Sequence, residues 1–170
     1  GTYLTETDEW DSDIADIPVE ISDLNISVRS QYNFLEGMKG YTAKDTVEMD
    51  RIIAVMQADI DRETYVQEFS SASLCSNVTR AEAAPSDIVT SKARHQQLIA
   101  LRDVLAGRHD AAEEHLQKSI ELEERVSYCY GPPSIQKPTR ELYADWLAGM
   151  GRYKEAEAQY TLAEKAGPKR

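Results

Sequence analysis

The sequence predicts an all-α domain built from antiparallel helical hairpins, and three observations carry that prediction. Apolar residues recur at three- and four-residue steps through most of the 170 residues, which is helical spacing. Two Gly-Arg turns, Gly107-Arg108 and Gly151-Arg152, stand 44 residues apart, each preceded by one amphipathic pattern and followed by a second. No alternating apolar pattern of useful length predicts a strand.

The elements follow in chain order. Residues 1–16 lack sustained periodicity and read as an acidic, flexible tail; residues 1–28 hold eight Asp and Glu and no Lys or Arg. A single helical domain is expected over 17–170. Its first helix, 18–38, opens at Asp16-Ile17-Pro18, places Ile21, Leu24, Val28, Tyr32 and Leu35 on one face, and is interrupted by Gly37 and Gly40. Thr42-Ala43-Lys44-Asp45 resembles a helix opening, and Met49, Ile52, Ile53, Met56 and Ile60 form a stripe that packs back on the first helix. The hairpin spans about 18–67, closed at Gly40. Residues 68–86 read as a long connection with room for extra helical turns.

Pro85 with Ser86 or Asp87 opens the next helix, whose broad cluster Leu98, Ile99, Leu101, Val104 and Leu105 predicts a central position. It turns at Gly107 and returns through Ala112, Leu116, Ser119, Ile120 and Val126, giving a hairpin over about 87–126. The Tyr128 to Pro138 stretch, with three prolines, favours an extended path. Tyr128 and Tyr130 beside those prolines offer rigid, amphipathic contact surface, or else a strap over the joint between two hairpins. The last hairpin, about 138–167, puts Leu142, Tyr143, Trp146, Leu147 and Met150 inward and returns with Ala156, Tyr160 and Ala163 on one face. Leu98, Leu105, Leu116, Leu142, Trp146 and Leu147 are the expected shared core. Full burial of Trp146 would make its truncation to Ala cost about 3–5 kcal/mol.

The net charge of −11 is concentrated at the N-terminal end, since the 142 residues after 28 hold 22 acidic and 19 basic side chains. That balance argues against nucleic acid and against anionic membrane surfaces. No run of 18 apolar residues predicts a membrane span, and no basic-then-apolar leader precedes the domain. Gly1 has the look of a residue left by tag removal. Nothing in the sequence sets the compartment. Cys75 and Cys129 lack the spacing of a zinc site or a redox pair. Asn25-Ile26-Ser27 and Asn77-Val78-Thr79 match the glycosylation triplet.

Motifs for phosphate loops, dinucleotide folds, zinc peptidases, nucleophile elbows and calcium loops are missing. No two of His95, His109 and His115 stand at i, i+4, so no metal site is expected. Acidic pairs such as Glu113-Glu114 point to different sides of a helix and do not make an acid/base couple. The expectation is no catalytic residue, no metal and no cofactor.

These residues resemble the tetratricopeptide repeat family. The last unit carries small Ala144, Gly151 at the turn, Tyr153 after it, Ala156, Tyr160, small Ala163 and Pro168. The middle unit carries Ala100, Gly107, Ala112, Leu116 and Ser119. In the first unit Leu35-x-Gly37-Met38-x-x-Tyr41 echoes Leu147-x-Gly149-Met150-x-x-Tyr153, with Asn33 and Asp45 at the small-residue positions. The Tyr128 to Pro138 insertion lengthens the offset beyond the family's repeat of about 34 residues.

The resemblance implies a right-handed stack of hairpins, whose first helices line a concave surface that binds a peptide or protein partner. On that exposed inner face it sets Arg94, Gln97 and Leu101 from the middle unit and Glu141, Asp145 and Ala148 from the last. Members that grip a chaperone's terminal carboxylate use Lys, Arg and Asn there; Glu141 and Asp145 would repel it. The expected function is a non-catalytic interaction scaffold, the C-terminal part of a longer repeat protein. Self-association into a homodimer is the alternative, because no further helix follows to cover the final pair. An enzyme with a site that these motifs do not reveal is the third reading.

Overall fold

A computed structural model describes residues 4, 7, 9–10, 12–14, 17–70, 83–126 and 137–166, and among them the chain is all-α, with six helices and no strand. Helix α1 is Ile26–Ala43, so it starts later than its periodicity suggests. Asn25 decides this: its side chain accepts from Ser27 N at 2.8 Å and from Ser27 Oγ at 2.9 Å, while its amide donates to Asp87 at 3.1 Å. The first glycosylation triplet is therefore spent on a helix cap. Residues 17–25 form no helix. Arg29 Nη1 donates to Leu24 O at 2.6 Å, and its guanidinium pairs with Asp59 and Glu63, fixing the chain's entry into α1.

Gly37 and Gly40 do not interrupt α1; they lie inside it. A Cβ at Gly37 would stand 2.5 Å from a methyl of Leu98, so this glycine lets α1 press onto the central helix. The helix closes instead at Lys44, in the left-handed region at φ 57°. Asp45 N donates to Gly40 O at 2.8 Å and Lys44 N to Tyr41 O at 3.0 Å. The same pair of hydrogen bonds recurs at both Gly-Arg turns: Arg108 N to Asp103 O and Arg152 N to Leu147 O, each at 2.9 Å, with Gly107 N to Val104 O and Gly151 N to Ala148 O, each at 3.0 Å. Gly107 and Gly151 have φ of 70° and 74°. Three hairpins thus close alike. The first does so at Lys44, and not at Lys39, which the Leu-x-Gly-Met echo sets opposite Gly151.

Helix α2, Thr46–Ser70, is capped by Asp45, whose carboxylate accepts from Glu48 N at 3.0 Å. Of its predicted stripe, Met49, Ile52, Met56 and Ile60 are buried and Ile53 is only partly buried. Helix α3, Pro85–Leu105, opens on proline, with Asp87 accepting from Ala84 N at 2.9 Å. Helices α4, His109–Arg125, α5, Thr139–Gly149, and α6, Tyr153–Ala166, complete the order. The readings made for Tyr128 to Gln136, for 71–82 and for Pro168 lie outside the described residues.

Helix α3 is central, packing against α1, α2 and α4, while α5 packs against α4 and α6. One core runs through all six helices, with Leu98, Leu116, Leu142 and Leu147 buried in it; each contributes about 1.5–3 kcal/mol by leaving water. Leu105 and Trp146 are only partly buried, so the full cost of a buried tryptophan does not apply to Trp146. Met150, expected inward, is 46% exposed, because α5 ends at Gly149 and the turn carries Met150 outward. Tyr160 is exposed too; on α6 the only buried side chain is Ala156. Ile26, Ile60 and Ile88 form a smaller cluster where α1 begins, α2 passes and α3 begins. Two side chains of the acidic segment, Leu4 and Trp10, join the main core.

Candidate functional site

The side chains expected on an exposed inner face of α3 are inside the protein. Arg94, Gln97 and Leu101 are 2%, 1% and 4% exposed. Arg94 Nη1 donates to Ser27 O at 2.6 Å and Ser30 Oγ at 2.9 Å, tying α3 to the start of α1. Burial pushes its guanidinium down to about 10, against the pull of Glu123 and Asp87. Gln97 Nε2 donates to Thr139 Oγ1 at 2.8 Å and to Lys137 O at 3.2 Å. Thr139 Oγ1 also meets Ser119 Oγ at 2.7 Å, and Ser119 Oγ donates to Ala93 O at 2.9 Å. A polar seam therefore crosses from α1 through α3 to α4 and α5. Its residues hold the hairpins in register. The family resemblance set them on an exposed face, whereas a polar side chain on a helix is buried where another element supplies its partners.

Of the residues expected on α5, Asp145 is exposed and Glu141 half-buried. Asp145 is neutralised within the chain: Lys137 Nζ lies 2.8 Å from its carboxylate and the Tyr160 phenol donates to it. That bond to a carboxylate pushes the Tyr160 hydroxyl up to about 12. Ala148 is partly buried against the core. Tyr128 and Tyr130 lie outside the described residues.

What the fold does open is a groove of about 450 Å³ along the first helices of the three hairpins. Met38, Tyr41 and Thr42 come from α1, and Leu101 and Val104 from α3. Leu142, Asp145 and Trp146 come from α5, and Gly149 and Met150 close its far end. Trp10 of the acidic segment lines the same groove while remaining 5% exposed. The Trp146 ring is positioned by Tyr143, stacked at 5.9 Å, and by the Arg152 guanidinium 5.8 Å from its centroid. Arg152 in turn pairs with Glu113 at 2.9 Å, and the Tyr143 hydroxyl donates to Glu113.

The groove's chemistry is that of an apolar receptor with one ion pair at its edge. The Tyr143 hydroxyl beneath it is pushed up to about 12 by burial and by Glu113, so it stays a neutral donor. A second hollow of about 310 Å³, between α2 and α3, is lined by Asp61, Thr64, Lys92, His95 and Gln96. Burial lowers the His95 imidazole from its ordinary 6.5, and its Nε2 lies 3.2 Å from Ile53 O. Among the described residues no three His, Cys, Asp or Glu side chains converge as a metal site would require, and no helix is long and apolar enough to cross a membrane.

In the sequence Met38 and Tyr41 stand out only as part of a repeat echo, and Trp10 is not singled out. The available signal was a leucine and a tryptophan within a stretch otherwise dominated by Asp, Glu and Thr. Compared with family models, curated proteins and solved structures, the chain matches none of them.

Proposed function

We propose that this chain is a tetratricopeptide-repeat-like scaffold, a right-handed stack of three helical hairpins that holds a peptide or protein segment and makes or breaks no bond. The observation that carries the reading is the apolar groove formed jointly by α1, α3 and α5. A surface drawn from one helix of every hairpin requires the stack as a whole, and its floor of Met38, Leu101 and Leu142 suits apolar anchors. Support for the stack comes from the three like turns, from α3 resting against both helices of the first hairpin, and from Ala100, Ala112, Ala144 and Ala156, all buried where helices approach closely.

Gly149 provides the test. A Cβ there meets nothing within 4 Å, so Gly149→Arg blocks the groove without disturbing the core. Peptides selected by display on the Trp10→Ala chain, in which the groove is widened, are expected to bind the Trp10→Ala/Gly149→Arg chain at least tenfold more weakly in solution. Equal affinity for both chains, or no binders at all, would refute the proposal.

Self-association is the second reading, favoured by α6, where Tyr153 is 71% exposed and Tyr160 lies one stripe along the same face. A light-scattering mass that stays monomeric from micromolar to millimolar chain would dismiss it.

A further inference from the structure

We propose that the hollow between α2 and α3 binds a small zwitterion, an α-amino acid with an aliphatic side chain, at a site separate from the groove and independent of it. Helix α2 offers acceptors for the ammonium group, and α3 offers donors for the carboxylate.

The opposite polarity of the two walls leads there. Asp61 lines the hollow from α2, and Lys92 and Gln96 line it from α3, one turn apart on the same face. Asp61 and Lys92 carry opposite charges but do not pair with each other; Asp61 accepts instead from Gln57 Nε2 at 2.7 Å. Charges that face a hollow without closing on one another suit a ligand carrying both complementary charges. Gln96 Oε1 accepts from His115 Nδ1 at 2.7 Å, which leaves the Gln96 amide N–H groups to donate beside Lys92.

His95 sets the sense of the ligand. Its Nε2 lies 3.2 Å from Ile53 O, and a carbonyl only accepts, so Nε2 carries the proton. Nδ1 then keeps a lone pair that has no partner among the described residues. That nitrogen needs a donor, which an ammonium group supplies and a carboxylate does not. Burial disfavours the charged ring, while the Asp61 charge acts on it in the opposite sense.

Thr64 adds a buried hydroxyl without a hydrogen-bond partner. Thr42 and Thr161 spend theirs on the carbonyl four residues back, at 3.0 and 2.8 Å; Thr64 leaves its own unspent on the wall of the hollow. Ile60 and Leu122 complete the lining and suit an aliphatic side chain. The volume of about 310 Å³ lies at the small end of ligand pockets, as an amino acid requires.

The experiment titrates the full chain calorimetrically with L-leucine, 4-methylpentanoate and isopentylamine. The three share one apolar body and carry both charges, the negative charge alone and the positive charge alone. L-Leucine is expected to bind saturably at one site, and each analogue about tenfold more weakly or worse, because one set of charge-assisted hydrogen bonds is lost. Asp61→Asn and Lys92→Gln should each weaken L-leucine by about tenfold, with little change in the melting temperature of the free chain.

Absence of binding up to about 10 mM L-leucine would overturn the proposal, and so would equal affinity for the three compounds. The comparison of analogues needs no altered chain, so it decides even where a variant folds poorly. Undiminished binding in both variants would also overturn it. Gly149 lies outside this hollow, so Gly149→Arg should bind L-leucine as the unaltered chain does; a loss there would assign the binding to the groove and refute a separate site.

Discussion

Lys44 and Gly37 exchange the roles that their residue types suggest. Lysine holds the left-handed closing position of α1, while glycine sits mid-helix beneath Leu98. A non-glycine residue in that region is strained by roughly 1–2 kcal/mol. Lys44 is exposed and its side chain is not needed for the turn. Lys44→Gly is therefore expected to stabilise the chain by about 0.5–1 kcal/mol, after the extra unfolded-state entropy of glycine is deducted. Urea unfolding checks this, and a lower midpoint would refute it. The turns at Gly107 and Gly151 were legible because glycine stands where φ is positive. The turn at Lys44 was not, because the hydrogen bonds that close it tolerate a strained residue and two nearby glycines are used for packing.

At the scale of elements, one buried hydroxyl lies where α3, α4 and α5 meet. Thr139 Oγ1 accepts from Gln97 and shares a hydrogen bond with Ser119, all three being fully buried. Thr139→Val keeps the shape and removes that atom, so Gln97 keeps Lys137 O and Ser119 keeps Ala93 O while each loses its side-chain bond to α5. The expected loss is about 1–2 kcal/mol, with Thr139→Ser losing less. Thermal melts of the two variants decide it; equal stability would show that the seam does not join these helices. The amphipathic stripes of α2, α3 and α4 were readable from periodicity. Arg94 and Gln97 were not, since their partners come from Ser27, Ser30 and Thr139, far away in the chain.

For the whole molecule, the linked trio Tyr143, Glu113 and Arg152 predicts how stability depends on pH. Glu113 is held below its ordinary 4.5, chiefly by the Arg152 hydrogen bond. That contribution is present above pH 4.5 and is lost as pH falls through the lowered value. Tyr143 is raised from 10 to about 12, chiefly by burial, so the unfolded chain ionises first. Its contribution is complete below pH 10 and disappears as pH rises toward 12. Tyr143→Phe should flatten the alkaline fall of Tm between those limits, and Glu113→Gln should flatten the acid one. Unchanged profiles in both variants would show that the trio does not link α4 and α5 to the turn that opens α6.

The sequence by itself determined the helical class, the two Gly-Arg turns, the buried stripe of α2 and the central place of α3. Each depends on residues within a few turns of one another, and periodicity records such relations directly. Only the tertiary structure decided that Arg94 and Gln97 face inward, that α1 starts at Ile26 and closes at Lys44, and that Trp10 reaches the groove of α1, α3 and α5. Those outcomes turn on which distant segment supplies a hydrogen-bond partner or an apolar neighbour, a choice made by three-dimensional packing and carried by no local pattern.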